Sequence, residues 1–357
     1  MTKPLSKIET PTESYVCHYP QAVEAAISQM AIFWPAEELG VEEDVSDFHN
    51  KLSVGEREGL LTLQSVLTQY ELMIGGEEMW GGRINKLFPR PEIGRACSVF
   101  AVMELNSHAP FYDLINKALN LATEEFYTEW KRDKDLSKHI AWIGKQAETG
   151  DALEATAALA FLEGVMLFSA FAFFKSFNTR GFNMIPHFVN GIDGSAKDEN
   201  YHSMFSAWLF QTCLQERTEA GNMSESELSK VQAKVWRMAE ESYNHEMAMI
   251  DRIFAISPET IRVVTKEEMQ HFVRDRVNVV LERLGAPAMF EQEKGVISGW
   301  FYKSLSTYKY ADFFANTQLQ YTRNWAKHKL VFDTGLAAEL TKPAKDLSSF
   351  FKPEVKL

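Results

Sequence analysis

Asp198-Glu199-Asn200-Tyr201-His202 is the stretch on which the fold turns. Glu199 and His202 stand three residues apart. On a helix, positions i and i+3 share one face, so both side chains can reach a single metal ion. Alone the pattern says little, because an acidic, helix-rich chain produces Glu-x-x-His by chance. It gains meaning only if the chain supplies the other half of a site.

A second pair exists in Glu104-Leu105-Asn106-Ser107-His108, where the i, i+4 spacing also shares a helix face. Two further glutamates sit alone in apolar surroundings. Glu163 lies inside AALAFLEGVMLFSAFAFF (157–174), the most hydrophobic run of the chain, and Glu71 sits among Leu67, Tyr70, Leu72 and Met73. A buried carboxylate is costly unless neutral, paired or on a metal. Taken singly, Glu71 reads as a solvated glutamate as readily as a ligand, and a lone histidine is usually an ordinary core residue. In order, however, the chain offers a lone Glu, a Glu/His pair, a lone Glu and a Glu-x-x-His, each on its own helix. That is the ligand set of a dinuclear carboxylate site in a four-helix bundle. Four carboxylates and two imidazoles suit iron(II) or manganese(II), and four negative charges balance two divalent ions.

The rest of the chain agrees with an all-α, single-domain reading. No strand-like alternation and no repeat of fixed period is present. Residues 1–20 read as a loose arm. Helical periodicity begins over 21–34, and Ser53 with Glu56 predicts a capping box for a helix ending at Gly75-Gly76. A long helix is expected over 92–122 and a central apolar one over 151–177. The stretch NTRGFNMIPHFVNGIDGS reads as a loop, followed by helices from about 196 to 216 and 224 to 256. Ser257 with Pro258, and Thr265, predict two more helix starts. Residues 334–357 read as a flexible tail.

A formal net charge of -12 over 357 residues argues against a nucleic-acid partner. Three scattered cysteines fit a reducing compartment and argue against a thiolate zinc site. Glu163 within the apolar run favours a buried helix over a membrane span, and no signal-peptide pattern opens the chain, so a cytoplasmic protein is expected. No glycine-rich loop has the context for binding phosphate.

Over about residues 20–325 the chain resembles the small (β) subunit of class I ribonucleotide reductases. The resemblance rests on Phe33-Trp34-Pro35-Ala36-Glu37-Glu38, on Leu162-Glu163 followed by FSAFAFFKSF, and on Lys197-Asp198-Glu199 with His202. It also rests on Tyr112 four residues after His108, and on Phe313-Phe314 with Gln320-Tyr321-Thr322-Arg323. It implies a ferritin-like bundle in which Glu71, Glu104, His108, Glu163, Glu199 and His202 hold two divalent first-row ions: manganese, iron, or one of each. Activated by dioxygen, peroxide or superoxide, that centre would oxidise Tyr112 to a radical. The equivalent would pass along Trp34, Asp198 and Tyr321 to a cysteine of a large catalytic subunit. The resemblance further implies a homodimer, a tail (326–357) that docks on the large subunit, and in some members a small activase protein.

The departures matter. Glu71 stands where aspartate is usual, as in subclasses that include manganese-using members. Glu104 and His108 are one residue further apart than usual, with Pro110 close behind, which predicts a π-bulge that keeps Glu104, His108 and Tyr112 on the metal side. Leu167 and Phe171 suit the pocket expected around Tyr112, but Ser195 falls where an isoleucine is usual. Two alternatives have different requirements. A stand-alone di-metal ligand-binding oxidase needs neither Tyr321, nor Trp34 with Asp198, nor a docking tail. A ferritin-like storage bundle needs about half this length and has no use for Tyr112.

Overall fold

The computed structural model describes residues 6–148, 151–291 and 295–307. Tyr321, Phe313-Phe314 and the tail lie outside them. Every regular element among the described residues is helical.

The helices that matter for the site are α1 (Pro20–Ala31), α2 (Val54–Gly75), α3 (Pro91–Met103), α4 (Ala109–Ala118), α5 (Ala152–Phe161), α6 (Phe168–Ser176), α7 (Pro186–Glu219), α8 (Glu225–Ile253), α9 (Lys266–Arg283) and α10 (Val296–Thr307). Their starts follow local chemistry. Ser53 and Glu56 form the expected capping box on α2, and Thr265 with Glu268 forms one on α9. Ser224 with Glu227 does the same for α8, and Asp151 accepts from two amides at the head of α5. Proline opens α1, α3 and α7, where a missing N–H costs nothing.

Two helices change pitch where a ligand is needed. A π-turn over Glu104–His108 joins α3 to α4, as the extra residue beside Pro110 predicts. A second π-turn, Leu162–Met166, joins α5 to α6 and carries Glu163. The continuous helix Ala152–Ser176 is long and apolar enough to cross a membrane, but its most apolar window is wholly buried inside the fold. It is the central helix of the bundle, with α7 and α8 packed along α5.

Three expectations need correction. The predicted loop before 196 is largely helix, since α7 starts at Pro186 and runs 34 residues. Its glycines are there for space: a Cβ on Gly191 would stand 2.2 Å from Phe111 Cε2, and one on Gly194 2.9 Å from Trp34 Cε2. Ser257 caps no α-helix. It sits at φ 46° with no side-chain cap, ahead of the single turn Pro258–Thr260. Finally, the arm is not loose throughout: Ser6, Ile8 and Tyr19 are buried, while Tyr15 and Val16 are exposed. Ile8 is fully buried, and Glu9 forms an ion pair with Arg217 of α7 at 2.5 Å.

Candidate metal centre

The six candidate ligands come from four helices and are all fully buried: Glu71 on α2, Glu104 and His108 on the first π-turn, Glu163 on the second, and Glu199 and His202 on α7. Their donor atoms form two groups, Glu71/Glu104/His108/Glu199 and Glu104/Glu163/Glu199/His202. Glu104 and Glu199 belong to both. Glu104 turns Oε2 to His108 Nδ1 at 2.6 Å and Oε1 to His202 Nδ1 at 2.7 Å. Glu199 turns Oε1 to His108 Nδ1 at 2.8 Å and Oε2 to His202 Nδ1 at 3.1 Å. Glu71 and Glu163 stand at the two ends, 3.8 Å from His108 Nδ1 and 3.7 Å from His202 Nδ1. Glu104 and Glu199 are thus placed where they could serve two ions, with Glu71/His108 and Glu163/His202 as the groups that would hold one each.

These donors fit metal ions, and apart from His202 Nδ1 with Glu199 Oε2 at 3.1 Å they do not satisfy one another. Both oxygens of Glu71 and of Glu104, Oε2 of Glu163, Oε1 of Glu199 and Nδ1 of His108 lack a hydrogen-bond partner among the described residues, despite being buried. Atoms that converge at such distances without hydrogen-bond geometry match neighbours in one coordination shell, where bonds of about 2.1 Å place adjacent donors about 3 Å apart. Charge gives the same answer. With no cation present, burial and then Glu199 push the Glu71 and Glu163 carboxyls well above their usual range. Burial also opposes ionisation of Glu199, but His108 and His202 outweigh it and hold its carboxyl low. Burial would lower His202, yet Glu104 and Glu199 raise it to about 9.

The surroundings orient the ligands. Asp198 Oδ2 lies 3.0 Å from His108 Nε2 and accepts from Trp34 Nε1 at 2.9 Å. A carboxylate only accepts, so the His108 proton belongs on Nε2, which leaves the Nδ1 lone pair for an ion. Asp198 Oδ1 accepts from Gln29 Nε2 at 2.8 Å. On the other side, Trp80 Nε1 donates to Glu163 Oε1 at 2.6 Å, and Phe100 covers His202 with ring centroids 4.4 Å apart. Gln29 and Trp80 were invisible in the sequence. Each is one residue on a remote element, although Trp80 between two glycine pairs is an unusual enough setting to invite attention.

Tyr112 follows the π-turn by one helical turn and is fully buried. Its phenol has no hydrogen-bond partner among the described residues, and burial with the nearby Glu71 pushes it well above its ordinary value, so it stays protonated. The Ser195 hydroxyl lies close enough to favour the ionised phenol slightly. Leu167 and Phe171 are both buried. Thus the structure brings Trp34, Asp198 and the six ligands together, with Tyr112 one turn beyond His108. Tyr321 is outside the described residues.

Comparison with known proteins agrees. Residues 12–296 match the family model "Ribonucleotide reductase, small chain". The chain is 24% identical over 311 residues to the "Probable ribonucleoside-diphosphate reductase small subunit 048L" of Invertebrate iridescent virus 3, covering 81% of this chain and 78% of that one. Its fold is shared with the dimanganese(II) NrdF of Streptococcus sanguinis, at TM-score 0.69 and 19% identity over 83% of this chain and 99% of that one. It is also shared with an R2-like ligand-binding oxidase, at TM-score 0.61 and 14% identity over 75% and 94% of the two chains. Fold alone therefore leaves both chemistries open. The sequence match along most of the chain decides between them, and this chain belongs to the ribonucleotide reductase small chain family.

Proposed function

We propose that this small subunit holds two first-row divalent ions (manganese, iron, or one of each), and that Tyr112 carries its oxidising equivalent toward the large catalytic subunit. The reading rests on Glu104 and Glu199, each of which offers one oxygen to the His108 side and one to the His202 side. When bound, the ions supply the oxidising power. Glu71 and His108 would terminate one ion, and Glu163 and His202 the other. The glutamate in first position and the dimanganese neighbour both support manganese.

Tyr112 contributes a protonated phenol in a buried place. Losing a proton and an electron together leaves a neutral radical, which needs no counter-charge in an apolar setting. Asp198 links His108 to Trp34 through one carboxylate oxygen, and that contact is the route outward. Tyr321 is the proposed next station. The 326–357 tail, ending in SSFFKPEVKL, is the proposed contact with the large subunit through Phe350, Phe351 and Leu357. On this reading residues 21–325 are the radical-generating domain, with 1–20 as its arm. A second copy of the chain would cover Leu72, Val102 and Leu105, which are exposed on α2, α3 and the first π-turn. The compartment is the cytoplasm, and a small activase is part of the proposal if manganese is the metal.

The test is an electron paramagnetic resonance spectrum after metal loading in air, with metal content measured on the same sample. About two ions per chain and an organic radical that vanishes in Tyr112→Phe are expected. Two ions with no radical under any oxidant would favour the ligand-binding oxidase. No bound metal would end the proposal. Removing residues 338–357 should abolish turnover while leaving the radical in place.

A further inference from the structure

Arg276 is a buried charge that no acid answers. It lies on α9, fully buried, with no carboxylate at ion-pair distance among the described residues. Its Nε donates to the Gly164 carbonyl at 2.8 Å, its terminal nitrogens face Asn200 Oδ1 at 3.4 and 3.5 Å, and its guanidinium sits 3.7 Å from the centroid of the Phe168 ring. A buried cation served only by neutral acceptors and an aromatic face is expensive to keep. Aliphatic packing would fill that space at less cost.

The acceptor explains it. Gly164 directly follows Glu163 and sits at the middle of the π-turn that turns Glu163 inward. The amide five residues on, Ser169 N, donates to the Glu246 carboxylate at 2.9 Å, and the Gly164 carbonyl takes Arg276. The same segment is gripped one turn earlier, where Ser203 Oγ donates to the Ala160 carbonyl at 2.9 Å. Arg283 in turn reaches Ser203 Oγ at 3.2 Å and Asn200 Oδ1 at 2.7 Å. There is no slack in this grip, since a Cβ at position 164 would lie 2.4 Å from both Ser203 Oγ and Val280 Cγ2. So the backbone of Glu163 is fixed from behind by α9, while Trp80 fixes its carboxylate in front.

We propose that Arg276 is a positioning residue for the ion on the His202 side, acting through the Gly164 carbonyl on the terminal ligand Glu163. The inference rests on the two-ion reading above. Because Glu163 belongs to only one of the two donor groups, the effect must be selective.

The experiment titrates manganese(II) into metal-free full-length protein and into Arg276→Met and Arg276→Lys. It follows ions bound per chain, the manganese resonance and the melting temperature before metal is added. Wild type should bind two ions and give a coupled two-ion signal. In Arg276→Met the second ion should bind about 10–100-fold more weakly, so that a six-line signal of one isolated ion replaces the coupled signal while the first ion is held as before. Arg276→Lys keeps the charge but loses the Nε donor; it should shift the same way, and it carries the test if the methionine variant does not fold. Equal weakening of both ions in step with a lower melting temperature would reduce Arg276 to a structural residue and overturn the inference. So would two ions bound with wild-type affinity. A wild-type chain that binds no ion would sink the two-ion reading first, and this inference with it.

Discussion

Trp34 stacks over His108 with ring centroids 5.4 Å apart and 26° between the planes, and both rings hydrogen-bond the same oxygen of Asp198. The segment that follows α1 is thereby tied to a candidate ligand more than seventy residues away. The tie is built entirely from donors on the ring side and acceptors on the Asp198 side.

That polarity makes Asp198→Asn a sharp probe. Asparagine keeps the shape but has only one acceptor oxygen for three donors: Trp34, His108 and Gln29. If its amide nitrogen faces His108, the imidazole must move its proton to Nδ1, the atom that faces the other ligands. The ion beside His108 should then bind about 10–100-fold more weakly, with the His202 side much less affected. Turnover with the large subunit should fall by at least as much. The pattern is the mirror of that expected for Arg276, and calorimetric metal titration of the two variants side by side distinguishes them. Unchanged affinity in Asp198→Asn would show that the tautomer is fixed by something else.

Gly191→Ala tests the part of α7 that sequence misread. In a helix interior, alanine is favoured over glycine by about 1 kcal/mol. Here the new methyl would meet the Phe111 ring at 2.2 Å, and Phe111 packs edge-on to Trp34 at 5.9 Å and beside Tyr112 at 5.0 Å. Overpacking of this kind costs about 1–3 kcal/mol, so the clash outweighs the propensity. The melting temperature of the metal-free protein should drop. A rise would mean that Phe111 has room to turn aside.

This misreading shows where sequence stops being informative. The ligand helices were legible because Glu/His spacing, a carboxylate in an apolar run and capping boxes are all local patterns. The extra residue at Glu104–His108 could even be read as a π-turn, because Pro110 marks it. Gly191 and Gly194 read as loop residues because the reason for them is Phe111 of α4 and Trp34 of the segment after α1, both distant in sequence. Gln29, Trp80 and Arg276 escaped for the same reason. Each makes its contacts only by folding, with no periodicity of its own. The second π-turn, which sets the direction of Glu163, has no proline to announce it.

Glu246 gives a dependence on pH outside the metal centre. It is fully buried on α8, its Oε2 accepts from Ser169 N at 2.9 Å, and burial, only partly offset by Ser169, pushes its carboxyl up to about 8. A folded-state value above the unfolded one means that the native protein holds the proton more tightly. The stabilisation is therefore fully present below the unfolded value near 4.5 and is lost as pH rises toward about 8. Glu246→Gln imitates the protonated acid. Metal-free wild type should lose stability between about pH 5 and about pH 8, and the variant should lose measurably less. Parallel curves from urea unfolding at several pH values would show that Glu246 is not the group responsible.

Ser195 bears on how Tyr112 behaves. Where the family resemblance implies an isoleucine, this chain has a hydroxyl, and that hydroxyl and the Tyr112 phenol are both buried without a hydrogen-bond partner of ordinary geometry among the described residues. Two such groups side by side are costly in the resting protein, since each buried unsatisfied hydroxyl forfeits about 1–3 kcal/mol. Once Tyr112 has lost its proton, its oxygen only accepts, and a small rotation of Ser195 Oγ satisfies both groups. The radical in wild type should therefore couple to one exchangeable deuteron after transfer to heavy water, and Ser195→Ala should abolish that coupling with little change in metal content. Removing a hydroxyl that makes no hydrogen bond of ordinary geometry should leave the melting temperature little changed. A deuteron coupling that survives in Ser195→Ala would place the donor elsewhere, on a ligand or a trapped water. No coupling in either protein would show that Ser195 stays turned away and that the pocket is apolar in effect despite its serine.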